Sequence, residues 1–209
     1  MKISRGPLIA NTLCLIPLFF LIVGYFQGSL TANPIQALTL RSGRTAVTLL
    51  LGSLACRPLS NMLGLTSLLK IRKILGLYAF FYASIHFLVF SGLDFEFNLG
   101  WILDEIRFKP FIQIGLSALI LLIPLTVTSI NSIRKKLGKT WQVLHRLVYF
   151  IAILVITHFL MAVKGDIIRP AVYGGVFLLL MLFRLPSLSK IKLDKKPRWL
   201  GSINKFLLS

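Results

Sequence analysis

Apolar residues in this chain form six long runs, and short polar or basic segments separate one run from the next. A helix of about 20 mostly apolar residues is long enough to cross a bilayer. The pattern therefore predicts an all-α fold, a polytopic membrane helix bundle with about six transmembrane helices. The six runs cover residues 8–26, 45–63, 74–92, 110–130, 142–164 and 170–185.

The first run follows the basic residues Lys2 and Arg5, as the apolar part of a signal peptide would. It is longer than the apolar part of most cleaved signal peptides, and no small-residue cleavage site follows it. We therefore expect this run to be retained as the first membrane helix.

Turn-forming and charged residues mark the segments between the runs. Asn33 and Pro34 favour a turn, so we predict a loop over residues 27–44, before the second run. Three later connectors differ in charge. Residues 64–73 and 131–140 are basic, whereas residues 93–109 hold four of the six acidic residues.

The chain is expected to form a single transmembrane domain, residues 1–209, with a basic tail at about 186–209. Pro110 suits the first turn of the fourth helix, because proline lacks an amide hydrogen that this position does not need. The tail contains Trp199 and Phe206 and is expected to lie along the membrane surface. We find no internal repeat in the sequence.

Lysine and arginine residues concentrate in alternate connectors, and this asymmetry predicts the orientation of the bundle. The N-terminus, the two basic connectors and the tail hold most of these residues. The positive-inside rule assigns such segments to the cytoplasm, so both termini are predicted to be cytoplasmic. Five of the six acidic residues then face outward.

The composition excludes an ordinary soluble domain, because 56% of the residues are hydrophobic and the mean hydropathy is +0.82. The formal charge of +18 could suggest nucleic acid as a partner. The basic residues lie in short strings between apolar runs, however, so we expect membrane lipid and no nucleic acid. The two cysteines, Cys14 and Cys56, lie inside apolar runs, and no CxxCH motif is present for covalent haem attachment.

All three histidines lie inside apolar runs, where an imidazole is costly and usually functional. His145 and His158 are thirteen residues apart on the fifth run, which is about 20 Å along a helix, with a difference in direction of about 140° unless the helix is kinked. His86 matches His158 in depth, so one imidazole from each of two helices could hold a haem b iron. His145 has no histidine at its own depth, so the second ligand of any inner haem stays open.

Other roles for these residues compete with ligation. A membrane histidine also bridges helices by hydrogen bonds or relays protons. The aromatic residues of the third run favour core packing over a haem wall. The basic residues near the inner side are typical topology signals, with propionate or anionic-cofactor contacts as a second interpretation. These residues are Arg72, Lys73, Arg134 and Lys136.

Four segments resemble one known family in their order and spacing: SGRTAVTLLL (42–51), RKILGLYAFFYASIHF (72–87), RFKPFIQIGLSALILLIPLTVTS (107–129) and RKKLGKTWQVLHRLVYFIAILVITHFLMAVK (134–164). The family comprises the haem-binding membrane subunits of the bacterial methionine sulfoxide reductase system, the MsrQ (formerly YedZ) family. It belongs to the ferric-reductase-like transmembrane group. The resemblance covers nearly the whole chain.

The resemblance implies a bacterial inner-membrane protein in which His86, His145 and His158 ligate one or two b haems and Arg72 lies near the inner haem. It further implies electron transfer from the quinone pool, or from a cytoplasmic flavin reductase, to a periplasmic molybdenum-containing methionine sulfoxide reductase. FMN is a cofactor implied by the family alone. The tail has no GxGxxG element, so electrons are expected to come from quinol or from a separate protein.

Two other functions stay open at this point. The chain could be a ferric or other metal reductase that acts without a partner at the outer face. It could also be a haem-free transporter or assembly factor whose histidines handle protons or metal ions.

Overall fold

Helices form all the regular structure in the part of the chain that the computed structural model describes, residues 5–163, 165–185 and 198–208. The predicted end of the fifth run at Lys164, the basic residue Lys2 and tail residues 186–197 lie outside this part. The elements in chain order are α1 Arg5–Phe26, α2 Pro34–Leu63, α3 Ser67–Leu88, a π-helical turn Val89–Asp94, α4 Leu99–Phe108, α5 Pro110–Val127, α6 Asn131–Leu137, α7 Lys139–Leu144, α8 Leu147–Ala162, α9 Ile168–Leu182 and α10 Arg198–Leu208.

The protein is a helical membrane bundle, as the apolar runs predicted. Five helical segments within the described residues are long and apolar enough to cross a membrane. A sixth apolar helix, α9, is shorter, with 15 residues. The prediction of about six transmembrane helices is therefore confirmed. The five longer segments are Arg5–Phe26, Pro34–Leu63, Ser67–Asp94, Pro110–Val127 and Lys139–Ala162.

The predicted loop over residues 27–44 is wrong from Pro34 onward, because α2 begins there and runs for 30 residues. The Asn33 side chain accepts a hydrogen bond of 3.0 Å from the backbone N–H of Gln36, and Pro34 occupies the first helical turn. Asparagine and proline favour turns, but they also favour these two positions at a helix start. The pair therefore begins a helix that extends the second span by more than two turns.

The predicted connectors are also partly helical. Residues 64–73 contain the first turns of α3, and Gly64 ends α2 in the left-handed conformation, with φ of 70°. Residues 93–109 contain α4, and residues 131–140 contain α6. These helices are short or begin in polar sequence, so apolar run length did not reveal them.

The predicted continuous helix over 142–164 is interrupted between α7 and α8, at His145 and Arg146. The backbone N–H of Arg146 donates to the carbonyl of Val143, three residues back, and Tyr149 does the same to Arg146. Hydrogen bonds of this i→i−3 type tighten the helix locally. The break removes the straight-helix geometry that set His145 and His158 about 140° apart.

Two helix pairs form the centre of the bundle. Helix α2 packs most extensively against α3, and α5 packs most extensively against α8. A hydrophobic cluster joins the two pairs and α9, and its members include Leu54, Leu122 and Ile151, each at most 6% exposed. This arrangement places one histidine-bearing helix in each pair, His86 on α3 and His158 on α8.

Tyr82 attaches α1 to α3 beside Pro17, which interrupts the hydrogen bonding of α1. The backbone N–H of Leu18 donates to the Tyr82 hydroxyl at 2.9 Å, and that hydroxyl donates to the carbonyl of Cys14 at 2.6 Å. The hydroxyl thus stands between a donor and an acceptor four residues apart in α1. Tyr82 is fully buried and fixes α1 against α3, one turn before His86.

Candidate functional site: a cavity with two facing histidines

His86 of α3 and His158 of α8 face each other across a cavity of about 510 Å³. Their ring centroids are 6.1 Å apart, and the two ring planes are inclined by 84°. An imidazole nitrogen binds a metal at about 2 Å, so this separation leaves room for one ion between the rings. The structure therefore brings together the two histidines that the sequence placed at one depth. We call this region the paired-histidine end of the bundle.

A backbone carbonyl fixes each of the two rings. The distance from His86 Nδ1 to the Thr39 carbonyl oxygen is 2.8 Å, and that from His158 Nδ1 to the Phe111 carbonyl oxygen is 2.7 Å. A carbonyl oxygen only accepts, so Nδ1 carries the proton in both rings. The Nε2 of a neutral ring then keeps its lone pair, the state in which histidine binds a metal.

A glycine on the paired helix makes room for each ring. A Cβ atom at Gly43 of α2 would lie 3.0 Å from His86 Nδ1, and one at Gly115 of α5 would lie 2.6 Å from His158 Nδ1. A side chain at Gly115 would require His158 to move, and one at Gly43 would press on His86. Each imidazole thus lies against helix backbone, between its glycine and the cavity.

These contacts reveal an internal repeat, so the expectation of no repeat was wrong. Each histidine lies 47 residues after the carbonyl that holds it. Each glycine lies four residues after that carbonyl, and the whole second set lies 72 residues after the first. The sequence likeness is low, with HFL at 86–88 and 158–160 among the few shared strings. The repeat is visible mainly because equivalent positions make equivalent contacts.

The same offset relates most of the cavity lining. Every α2 residue that lines the cavity has its counterpart, 72 positions later, lining it from α5. Helix α4 and the segment before it close one side of the cavity, and this side has no counterpart in the other repeat. Two pairs of equivalent residues are Leu50 with Leu122 and Phe87 with Phe159, and the charged lining residues are Arg44, Asp94, Glu105 and Lys109.

His145 lies at the other end of the bundle, between α7 and α8, and the structure does not bring it near the other two histidines. Its Nε2 is 3.1 Å from the Thr128 hydroxyl oxygen. That hydroxyl already donates to the Pro124 carbonyl at 2.6 Å, so the His145 Nε2–H donates to Thr128. His145 therefore carries its proton on the nitrogen opposite to that in His86 and His158.

Trp141 packs against His145 at this end of the bundle, which we call the single-histidine end. Its ring centroid is 4.1 Å from that of His145, with the planes inclined by 31°. The indole N–H donates to the Thr128 carbonyl at 3.0 Å, and the Arg134 guanidinium lies 4.5 Å from the indole centroid. As arranged here, a hydroxyl engages the Nε2 of His145 and an indole lies against its ring.

Arg72 lies on α3 toward the single-histidine end, and its backbone carbonyl accepts a hydrogen bond from the Ser53 hydroxyl. The next residue, Lys73, contacts Asn131, three residues after Thr128, so Arg72 lies at the same end of the bundle as His145. The position equivalent to His145 in the first repeat is Lys73, whose ammonium donates to the Asn131 side chain at 3.2 Å. The repeat that supplies two facing histidines at one end thus supplies only one histidine at the other.

Sequence reasoning did not find the residues that support the histidines. Thr39 and Phe111 act through their carbonyls, which carry no sequence signature. Gly43, Gly115 and the HFL strings were visible, and glycine in a helix interior indicates close approach of a neighbour. Trp141 and Thr128 gave no signal, because their use depends on the break after α7.

Comparison with known protein families gives a match over more than half of the chain. Residues 42–156 match the family described as ferric reductase like transmembrane component. This region includes Gly43, Gly115 and all of α3 with His86, and it ends within α8, before His158.

Individual relatives match over a larger part of the chain. The chain is 38% identical over 194 residues to the protein-methionine-sulfoxide reductase heme-binding subunit MsrQ of Rhodospirillum rubrum, covering 92% of this chain and 93% of that protein. It is 39% identical over 173 residues to the MsrQ of Caulobacter vibrioides, with 82% of each covered. It is also 40% identical over 190 residues to the magnetosome protein MamZ of Magnetospirillum gryphiswaldense, covering 88% of this chain but 29% of that longer protein.

Proposed function

The chain belongs to the ferric reductase-like transmembrane family and, within it, to the MsrQ family of methionine sulfoxide reductase haem-binding subunits, and from this premise we propose its function. It is a haem-b membrane subunit that carries electrons to a periplasmic methionine sulfoxide reductase. The observation that carries the proposal is the pair of imidazoles with ring centroids 6.1 Å apart. In each ring, Nδ1 donates a hydrogen bond to a backbone carbonyl.

The paired-histidine end fits haem b in ligand number and in volume. His86 and His158 would hold the haem iron through their Nε2 atoms. The cavity lining around the two rings is largely apolar. The cavity volume of about 510 Å³ lies within the range of cofactor pockets.

When bound, haem b supplies one-electron oxidation and reduction. The protein's own residues hold and orient it. The Thr39 and Phe111 carbonyls keep both Nδ1–H groups engaged, which fixes the ring orientations and raises the basicity of each Nε2. Gly43 and Gly115 allow the rings to lie against helix backbone, and the buried residues Leu50 and Leu122 exclude water from the cavity floor.

We orient the bundle in the bacterial inner membrane with both termini in the cytoplasm and the paired-histidine end toward the periplasm. The distribution of lysine and arginine supports this orientation. The electron acceptor is then a molybdenum-containing periplasmic reductase. The donor is the quinone pool or a cytoplasmic flavin reductase, and FMN is a further cofactor that family membership suggests.

His145, with Arg72 near it, is the proposed site of a second b haem. Ligation through Nε2 would require the hydrogen bond to Thr128 to break, while the Trp141 indole packs on the face of the ring. The proposal for this end therefore includes a local rearrangement, whereas the proposal for the paired-histidine end does not.

The first experiment is the absorption spectrum of protein purified after haem-replete expression, with the haem-to-protein ratio. We expect a Soret band and a six-coordinate b-type spectrum from the paired site. A ratio near one indicates the paired site alone, and a ratio near two indicates a second haem. Protein without a Soret band would contradict the proposal and favour a haem-free transporter or assembly factor.

A second experiment tests the electron acceptor. Reduced protein is mixed with a periplasmic methionine sulfoxide reductase and its oxidised substrate, and haem reoxidation is followed in a stopped-flow spectrometer. We expect the reductase to accelerate reoxidation. Acceleration by ferric chelates but not by the reductase would instead identify a metal reductase that acts alone.

A further inference from the structure

The two halves of the histidine cavity are equivalent in most of their lining but differ in charge. Arg44 of α2 has Leu116 as its counterpart on α5, and Lys109 has Ala37. Leu116 also lines the cavity, whereas Ala37 does not. The histidines, glycines and apolar residues repeat on both sides and offer no fixed charge. The charged lining residues are therefore the ones that can bind an anionic edge of a flat ligand.

We propose that Arg44 and Lys109 bind the two propionate carboxylates of haem and so fix its orientation in the cavity. This inference rests on the proposed function, because it assigns a place to one edge of the proposed group. Haem b carries both carboxylates on one edge, and no covalent attachment fixes that edge here. In an apolar cavity each carboxylate needs a cationic or hydrogen-bonding partner.

Arg44 is the stronger of the two proposed partners. It is half-buried, lies next to Gly43 and lines the cavity. Its Nε donates to the Leu40 carbonyl at 3.2 Å, which anchors the side chain along α2. Among the described residues no carboxylate forms an ion pair with it. Its two terminal nitrogens can therefore receive a carboxylate in the bidentate geometry that guanidinium favours.

Lys109 already forms an ion pair with an acidic neighbour. Its ammonium pairs with the Glu105 carboxylate one turn earlier, and both residues line the cavity. Asp94 also lines the cavity and adds a second negative charge. A propionate must compete with Glu105 for Lys109, so Lys109 contributes less than Arg44. Removal of the Glu105 charge frees Lys109 and strengthens binding.

The test measures haem dissociation from the purified full-length protein to excess apomyoglobin, for wild type and for Arg44→Gln, Lys109→Gln and Glu105→Gln. We expect Arg44→Gln to accelerate dissociation about tenfold, as loss of one charged hydrogen-bonding partner does. Lys109→Gln accelerates it less, and Glu105→Gln slows it. Arg44→Lys restores part of the wild-type rate.

Arg41→Gln is the matched control, since Arg41 lies on the same helix, bonds to the Leu30 carbonyl and does not line the cavity. A second arm uses haem dimethyl ester, which has no free carboxylates. With it, wild type and Arg44→Gln should release the ligand at the same rate. An equal Arg44→Gln effect with both ligands, or no effect with haem, would overturn the carboxylate contacts while leaving haem binding intact. Wild type that takes up no haem would overturn the proposed function as well.

Discussion

The two ends of the bundle use histidine in opposite ways. At the paired-histidine end both rings donate from Nδ1 to backbone carbonyls, and both Nε2 atoms are left for the cavity. At the single-histidine end the His145 Nε2–H donates to Thr128, and Trp141 lies against the ring. The paired-histidine end leaves two Nε2 lone pairs facing one cavity, whereas the other end engages Nε2 in a side-chain network and leaves the lone pair on Nδ1.

The difference follows from how the 72-residue repeat is used. The repeat supplies a carbonyl, a glycine and a histidine from each helix pair at one end. At the other end Lys73 stands where the second half has His145, and Cys56 stands where it has Thr128. Two equivalent halves can clamp a flat group between them, and unequal halves cannot supply matching ligands.

Replacing the histidines should produce the largest effects. His86→Ala and His158→Ala each remove one of the two proposed haem ligands, so we expect loss of the paired haem and its six-coordinate spectrum. His145→Ala should leave that spectrum unchanged, and any loss in the haem-to-protein ratio would report a separate centre. Absorption and electron paramagnetic resonance spectra of the three variants measure this. Equal loss of one centre in all three variants would contradict two unequal ends.

Gly115→Ala should have the next largest effect. The new Cβ would lie 2.6 Å from His158 Nδ1, so the ring must move away from the Phe111 carbonyl. We expect haem affinity to fall about 10–100-fold, as when a metal-ligating histidine loses its supporting contact. Haem titration of the depleted protein gives the affinity. Gly175→Ala is the control, since nothing lies within 4 Å of a Cβ there, and an equal loss in it would refute the contact.

Gly43→Ala should act in the same direction but less strongly. Its Cβ would approach His86 Nδ1 to 3.0 Å, a contact that a shift of a few tenths of an ångström relieves. We expect roughly a two- to fivefold loss of haem affinity, measured by the same titration. A larger loss of haem affinity in Gly43→Ala than in Gly115→Ala would contradict the order that these two distances predict.

Thr128→Val should have the smallest effect on haem and a measurable effect on stability. The substitution keeps the side-chain shape but leaves the His145 Nε2–H without its acceptor, which costs about 1–3 kcal/mol when the group is buried. His145 is only partly buried, so we expect the lower part of this range. Denaturant unfolding in detergent measures it, with Thr126→Val in the last turn of α5 as control. A change in the spectrum of the paired haem would contradict the separation of the two ends.

The sequence predicted most of the membrane helices and the depth of each histidine, because apolar run length and helical rise depend only on the order of residues. It did not predict the start of α2, because Asn33 and Pro34 suit a turn and a helix start equally well. It also did not predict the break at His145 and Arg146, where no proline or glycine marks the change in hydrogen bonding.

His86 and His158 could be paired from sequence, since equal depth on two helices is a property of the chain. Which ring nitrogen carries the proton, and which glycine lies behind each ring, was decided only by the packing of α2 against α3 and of α5 against α8. Those contacts join residues 47 positions apart through a carbonyl that every residue type carries. The sequence therefore determined where along their helices the histidines lie, and the tertiary structure decided which nitrogen of each ring is left for a ligand.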